Sequence, residues 1–208
     1  MRGLFLSLDG IDHCGKSTQC QLLTDWLLSE DHRVVPCSDP GSTSLGWELR
    51  QLLLNWDHDM STRCEAMLFM ASRAQLVDQV IRPALDEGSI VISDRFLLAN
   101  VVYQGHAGLL DPEELWQIGL WGTGGLSPDL TLVLDLSLEQ ARARRDQTPD
   151  RVESREEAFH QRVREGFLAE AEKSPEQIKV LDASQNVETL HHAIRQEVAR
   201  ALESRQRT

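Results

Sequence analysis

The sequence lacks the features of a membrane protein, a disulfide-rich protein or a zinc-binding protein. No apolar run approaches membrane-spanning length. The chain passes from Met1 and Arg2 directly into a predicted strand, so we expect no signal peptide. No C-x-x-C pair occurs among the four cysteines, which are Cys14, Cys20, Cys37 and Cys64. These absences predict a reduced cytoplasmic protein that does not bind membranes.

The sequence also lacks the positive charge of a nucleic-acid-binding protein. Acidic residues outnumber lysine and arginine by 33 to 21, and the net charge is -12. This balance disfavours nucleic acid as a partner. Repeats, low-complexity segments and linkers are missing too, so we expect one domain over residues 1–208. One basic island stands out, with five arginines at Arg142, Arg144, Arg145, Arg151 and Arg155. Such an island suits a small anion better than a DNA duplex.

The clearest motif is a complete G-x-x-x-x-G-K-[ST] pattern between a predicted strand and a predicted helix. Its residues, with one more behind them, are Gly10, Ile11, Asp12, His13, Cys14, Gly15, Lys16, Ser17 and Thr18. Glycines at both ends let backbone N–H groups approach nucleotide phosphates, and the following helix adds its positive dipole end. We expect a solvent-accessible Lys16 to reach the terminal phosphates and Ser17 to bind Mg²⁺. The alternative is a chance match in a glycine-containing turn.

Strands and helices alternate along the rest of the chain. Short apolar runs bounded by turn residues predict five strands, at 4–8, 33–38, 89–93, 130–136 and 178–181. Helical periodicity follows each strand and includes a long helix over 62–85. This order predicts an α/β fold with a five-stranded parallel sheet flanked by helices, the three-layer arrangement of P-loop NTPases.

Several polar residues lie where such a fold places its ligands. Asp94 and Arg95 end the third strand, where an acid can hold Mg²⁺ and an arginine can grip a phosphate. A structural Asp–Arg pair is the alternative. Phe69 and Arg73 share one helix face and could bind a flat base, although, taken alone, they fit a core phenylalanine and a surface arginine better. Candidate polar contacts from the next segment, or ordinary surface residues, are Asn100, Tyr103 and Gln104.

Phosphoryl transfer requires a further cation, and the variable positions of the loop contain no arginine. We therefore expect it to come from a lid over about 142–155, with Arg142, Arg144, Arg145 and Arg151 as candidates. The break at Thr148 and Pro149 predicts that this lid is mobile. The alternative is a solvated basic face paired with its own acids.

Read together, these motifs resemble the thymidylate kinase family over nearly the whole chain. The family's F-x-x-x-R-x-Q helix matches Phe69, Arg73 and Gln75, and its D-R segment ending in Tyr-Gln matches Asp94, Arg95, Tyr103 and Gln104. Its Asp-Pro-Gly signature resembles residues 39–43, and its lid motif D-R-[IF]-E resembles residues 150–153. One departure concerns acceptor binding, because Ser38 stands where the family usually has arginine.

The resemblance implies phosphorylation of dTMP to dTDP by ATP with Mg²⁺. It implies that Phe69 stacks on thymine, that Arg73 and Asn100 contact its edge, and that Gln104 also binds substrate. Tyr103 would exclude a ribose, Asp12 would approach the 3′-hydroxyl, and Arg95 would hold the acceptor phosphate. Ser17 and Asp94 would hold the metal, and Lys16 would assist catalysis together with Arg151 and with Arg144 or Arg145. A homodimer through the long helices is also implied.

Two rival functions remain open from the sequence. One is a related P-loop kinase that acts on another nucleotide or a nucleoside. The other is a P-loop protein that binds nucleotide without turnover. Cys14 adds a separate question, because a thiol inside the phosphate loop is either a reactive thiolate or a shielded, inert group.

Overall fold

The computed structural model describes residues 3–145 and 150–206. Within these residues the strands form one parallel five-stranded sheet in the order β2-β3-β1-β4-β5. The strands are β1 (Phe5–Asp9), β2 (Val34–Ser38), β3 (Ile90–Asp94), β4 (Leu130–Asp135) and β5 (Ile178–Asp182). The predicted strands, their parallel pairing and the α/β class are confirmed.

Helices cover both faces of this sheet. Those before β4 are α1 (Lys16–Ser29), α2 (Ser44–Asn55), α3 (Thr62–Leu76), α4 (Arg82–Asp86), α5 (Leu97–Asn100) and α6 (Pro112–Gly122). Those after β4 are α7 (Leu138–Ala143), α8 (Glu157–Lys173) and α9 (Val187–Gln206). One apolar core includes Leu23, Val163 and Ile194, and a second includes Met70 and Leu85. The expected three layers are therefore present.

The position of β1 determines where the site forms. β1 lies between β3 and β4, and its side chains are buried, which fits the apolar residues Phe5, Leu6 and Leu8 of its sequence. Leu8 pairs with Asp94 in the parallel register. The loop after β1 and the polar end of β3 therefore meet at the carboxyl edge of the sheet, where α/β proteins bind ligands.

Two segments differ from the regular helices that the sequence predicts. The helix expected over 62–85 contains a π-helical turn, Val77–Ile81, between α3 and α4. A second π-helical segment, Val101–His106, continues α5. Asn100, Tyr103 and Gln104 are buried around this segment, so the alternative that they are surface residues is wrong. Such π segments often occur at functional sites.

The predicted lid is only partly described. Its break at Thr148 and Pro149 lies outside the described residues. The segment from Asp150 onward packs on the body of the protein, with Val152 buried and the Arg151 backbone N–H donating to the Leu54 carbonyl. Among the described helices, none has the length and apolar character needed to cross a membrane.

Candidate active site

The loop after β1 has the backbone shape of a phosphate cradle. Gly10 and Gly15 have φ angles of 137° and 99°, which favour glycine. A Cβ at Gly10 would lie 2.6 Å from the Leu134 carbonyl oxygen, so a larger residue is excluded there. α1 begins at Lys16, and among the described residues no side chain caps its first turn. Its N–H groups therefore remain available to an anion.

Lys16 is folded back into this loop. Its Nζ donates to the Ile11 carbonyl oxygen over 2.7 Å and lies 3.6 Å from Cys14 Sγ. Only 7% of the residue is exposed, so the expectation of a solvent-accessible lysine is wrong. An arriving phosphate would draw the ammonium group away from the carbonyl. Cys14 is completely buried, which favours the shielded thiol over the reactive one.

Ser17 and Asp94 come together as the sequence predicts. The Ser17 hydroxyl donates to Asp94 Oδ2 over 2.6 Å. The described residues contain no group of three or more His, Cys, Asp or Glu side chains that could hold a metal ion. Mg²⁺ does not need such a cage, because it is bound by one or two carboxylates together with water and substrate phosphates. A hydroxyl beside one carboxylate at the mouth of the loop therefore fits Mg²⁺.

Asp12, Arg95 and Tyr103 form a closed triangle beside the loop. Arg95 Nη2 donates to Asp12 Oδ1 over 2.6 Å and to the Tyr103 hydroxyl over 3.2 Å, and that hydroxyl donates to Asp12 Oδ2 over 2.9 Å. Burial opposes ionisation of Asp12, but the positive charges of Arg95 and Lys16 outweigh it and lower its pKa to about 2. Burial raises the pKa of Tyr103 well above its usual value. Asp12 is thus a carboxylate and Tyr103 a neutral phenol at neutral pH.

A smaller cavity of about 140 Å³ opens beyond this triangle. Its lining includes the predicted acceptor residues Phe69, Arg73, Asn100 and Gln104. Arg73 is not the surface charge that the alternative proposes, since it is 2% exposed and its Nε lies 2.5 Å from Asp39 Oδ2. Its Nη1 donates to Asn100 Oδ1 over 3.0 Å. Phe69 is half-buried and also lines this space, so the structure brings together the predicted base-binding residues.

Arg50 is a site residue that the sequence analysis missed. It lies on α2, lines both the small cavity and the larger one around the phosphate loop, and donates from Nη1 to the Pro40 carbonyl over 3.1 Å. Ser38 leaves the acceptor side without the usual cation, and Arg50 brings one to the same region. The sequence feature that could have indicated Arg50 is its position one helical turn after Gly46. Gly46 lies so close to the loop after β2 that a Cβ there would come within 2.8 Å of the Gly41 carbonyl oxygen.

The lid arginines do not all face the phosphate loop. Arg144 lines the larger cavity, of about 930 Å³, and donates to the Ala183 carbonyl over 2.9 Å. Arg145 lines neither cavity. The expectation that Arg151 faces the transferred group is not met, because it donates to the Leu53 carbonyl over 2.8 Å and to Glu65 over 2.5 Å.

Two further parts of the larger cavity carried no recognisable sequence signal. The loop between β5 and α9 lines it with Gln185 and Asn186, and the start of α9 lines it with Val187, which places a pocket beside the phosphate loop. His13 of the phosphate loop lies 3.3 Å from Glu153 of the lid segment. Both features depend on segments that are far apart in sequence and meet only in the folded chain.

The two cavities are neighbours and share part of their lining. Residues that line both are Asp12, Asp39, Pro40, Arg50, Arg95 and Glu153. A large cavity built on a phosphate loop therefore joins a small, partly aromatic one through a zone with two arginines. This is the geometry expected for two ligands whose phosphates meet.

Comparison with known proteins agrees with this geometry. The family model described as thymidylate kinase matches residues 8–194. A thymidylate kinase of Exiguobacterium sp. is 44% identical over 198 residues, covering 93% of each chain. One from Clavibacter michiganensis subsp. michiganensis is 44% identical over 94% of each chain. One from Rhodopirellula baltica is 46% identical over 92% of this chain and 78% of its own.

A solved structure gives the same result for the fold. The crystal structure of thymidylate kinase from Ehrlichia chaffeensis matches with a TM-score of 0.78 and 27% identity. The match covers 95% of this chain and 99% of that chain. Loop, sheet order and flanking helices thus agree with a P-loop NTPase fold.

Proposed function

The chain belongs to the thymidylate kinase family, and from this premise we propose that it transfers the γ-phosphoryl group of ATP to dTMP, forming dTDP. The observation that carries the proposal is the meeting of the two cavities at Arg50, Arg95 and Asp12. The larger cavity has the volume for a nucleoside triphosphate, and the smaller one has an aromatic residue and buried amides suited to a base.

On the donor side, the phosphates of ATP lie in the loop of residues 10–18. Backbone N–H groups and the N-terminus of α1 bind their oxygens, and Lys16 leaves the Ile11 carbonyl to contact the terminal phosphates. Ser17 and Asp94 would hold Mg²⁺. When bound there, the ion would supply positive charge that offsets the charge of the donor phosphates. The adenosine occupies the end of the cavity formed by the loop between β5 and α9.

On the acceptor side, Phe69 stacks on the thymine ring, and Arg73, Asn100 and Gln104 bind its polar edge. Asp12 and Tyr103 lie along the sugar, where the phenol leaves little space for a 2′-hydroxyl. Arg95 and Arg50 hold the acceptor phosphate. The donor and acceptor phosphates repel each other, and the positive charges of the two arginines offset that repulsion. Holding the phosphates close together in this way is the protein's main contribution to phosphoryl transfer.

Arg144 supplies the lid cation. It lines the donor cavity, and its guanidinium is held only by a backbone carbonyl among the described contacts. An approaching phosphate can replace that neutral partner. Arg151 is held by the buried Glu65 carboxylate and would have to break an ion pair before it reached a phosphate.

We assign the protein to the cytoplasm and to a homodimeric state. All four cysteines are free, as a reducing compartment requires. Apolar side chains are exposed on two neighbouring helices, with Met67 on α3 and Ile118 and Trp121 on α6. Exposed apolar residues of this size on packed helices are typical of a protein interface, and the partner that fits is a second copy of the chain.

A substrate panel tests the function directly. ADP release is measured with ATP, Mg²⁺ and each common nucleoside monophosphate. We expect dTMP to be preferred, with dUMP lower by on the order of 10- to 200-fold because one methyl group contributes only modestly, and with UMP lower still. A different preferred acceptor would support a kinase for another nucleotide. Nucleotide binding without ADP release would support a protein without turnover.

A further inference from the structure

A buried carboxylate, Glu65, lies behind the acceptor cavity without lining it. It belongs to the first turn of α3 and is completely buried. Its Oε2 accepts from Arg151 Nη2 over 2.5 Å and from Arg155 Nη2 over 2.6 Å. Its Oε1 accepts from Gln104 Nε2 over 2.7 Å. Burying a charge is costly unless it is paired and hydrogen-bonded, and both carboxylate oxygens of Glu65 have partners here.

A row of hydrogen bonds leads from Glu65 to the wall of the cavity. Gln104 Oε1 accepts from Asn100 Nδ2 over 2.8 Å. Asn100 Oδ1 then accepts from Arg73 Nη1 over 3.0 Å. Gln104, Asn100 and Arg73 all line the acceptor cavity. Glu65 is therefore one end of a continuous row whose other three members line the acceptor cavity.

The two ends of this row fix the direction of both amides. A carboxylate can only accept hydrogen bonds, and a guanidinium can only donate them. Gln104 must therefore turn its amide nitrogen toward Glu65, and Asn100 must turn its oxygen toward Arg73. The remaining amide hydrogens and lone pairs then face the cavity in one arrangement only. Without an acceptor-only group at position 65, the direction of the row would be set from the Arg73 end alone, and the buried Gln104 amide nitrogen would lose its partner.

The same carboxylate holds the opposite wall. Arg151 and Arg155 belong to the lid segment, and their neighbours Asp150, Val152 and Glu153 line the acceptor cavity. Arg155 also lies over the Phe159 ring at 4.5 Å, which fixes its position from the other side. Glu65 thus links the Gln104–Asn100–Arg73 row to the lid segment that lines the other side of the acceptor cavity.

We propose that Glu65 is a positioning residue for acceptor recognition: it sets the direction of the Gln104–Asn100–Arg73 row and anchors the 150–155 segment over the same ligand. The inference rests on the proposed function. Thymine and cytosine present opposite donor and acceptor groups along one edge. A row whose direction is held from both ends distinguishes the two bases more strongly than a row held from one end.

The variant Glu65→Gln tests this role, because it keeps the shape of the side chain and removes its acceptor-only character. For the full-length protein, kcat and KM are measured with dTMP, with dCMP and with varied ATP. We expect the KM for dTMP to rise about tenfold while the KM for ATP changes by less than about twofold. We also expect the ratio of kcat/KM values for dTMP and dCMP to fall by about tenfold or more.

Glu170→Gln is the matched control. Glu170 is also a buried carboxylate with three side-chain partners, His106, Trp116 and Lys173, but it lines neither of the two substrate cavities. A general loss of stability would affect both variants, whereas a change in base preference should be confined to Glu65→Gln. If Glu65→Gln does not fold, Glu65→Asp carries the test, since it keeps the charge but withdraws the acceptor from Gln104.

The outcomes separate the two proposals. Failure of the wild-type protein to phosphorylate dTMP would overturn the proposed function. An active wild-type protein, with a variant at position 65 that keeps both its KM for dTMP and its base preference within about twofold, would overturn the role of Glu65 alone. An equal shift in base preference for Glu170→Gln would overturn it as well.

Discussion

Arg73 and Asp39 form an ion pair in the interior, with Arg73 Nε 2.5 Å from Asp39 Oδ2 and both side chains almost fully removed from solvent. Asp39 follows β2, whereas Arg73 lies on α3, so the pair joins two walls of the acceptor cavity. Burial raises the pKa of Asp39 even though the Arg73 charge opposes the shift. Each of the two buried charges is therefore stabilised mainly by the other.

Replacing Asp39 by asparagine should be strongly destabilising. The change leaves the Arg73 charge buried without a counter-ion, and removing one partner of a buried pair costs about 3 kcal/mol or more. Urea unfolding of Asp39→Asn measures the loss. Glu157→Gln is the control, because Glu157 pairs with Arg142 at the surface and should change stability little. Equal effects for the two variants would contradict this account of the pair.

Lys16→Met should abolish phosphoryl transfer and leave the protein folded. Methionine fills similar apolar space, and the lost bond to the Ile11 carbonyl is a single hydrogen bond. We expect kcat to fall on the order of 10³-fold or more, because Lys16 meets the charge on the transferred group. ADP release and thermal unfolding are measured together, with Lys179→Met as control, because Lys179 lines neither substrate cavity. Near wild-type turnover in Lys16→Met would exclude the loop from catalysis.

Arg144 and Arg151 should behave differently when each is replaced by alanine. Arg144→Ala should lower kcat on the order of 10³-fold with little change in nucleotide affinity, as for a cation that acts in the transition state. Arg151→Ala should chiefly raise the KM for dTMP, because it loosens the lid segment from Glu65. Steady-state kinetics separates the two patterns. A larger loss of kcat for Arg151→Ala would reverse the assignment.

Much of this arrangement follows from local sequence. The phosphate loop around Lys16 is one contiguous motif, and its backbone shape follows from the glycines at its two ends. The meeting of Ser17 and Asp94 is also predictable, because the carboxyl ends of neighbouring parallel strands share one edge of the sheet.

The remainder depends on contacts that sequence spacing does not encode. Arg50 reaches the site only because α2 packs against the loop after β2. Arg151 was expected at the phosphates because its charge and motif suit them, but its partner Glu65 is 86 residues away in the chain. Which of several arginines meets a buried carboxylate is decided by helix packing, and periodicity alone does not reveal it.

Trp121→Glu should convert a homodimer to a monomer. Trp121 is 83% exposed in the isolated chain and lies on the outer side of α6. A charge placed in an apolar interface has no partner there and opposes association. Light scattering coupled to size exclusion measures the mass. Trp56→Glu, at an exposed tryptophan after α2, is the control, and a monomeric wild-type protein would rule out the dimer.

Asp9→Asn should remove a pH-dependent loss of stability. Burial raises the pKa of Asp9 from 3.8 to about 6, while the hydrogen bond from Ser7 and the charge of Arg95 only partly oppose the shift. Between these two values the folded protein binds more protons than the unfolded chain, so stability falls as the pH rises from about 4 to 6. From about pH 7 upward the full effect, on the order of 3 kcal/mol, is present.

Asparagine does not ionise, and its amide oxygen can still accept from the Ser7 hydroxyl, which lies 2.6 Å from Asp9 Oδ2. Any fixed cost of the new amide hydrogens is independent of pH and cancels when slopes are compared. Urea unfolding of wild type and variant between pH 4 and 8 should therefore show the stability difference growing in favour of Asp9→Asn up to about pH 7. Asp12 does not disturb this window, because its lowered pKa affects stability only below about pH 4. A stability difference that stays constant across the range would mean that Asp9 ionises alike in the folded and unfolded protein.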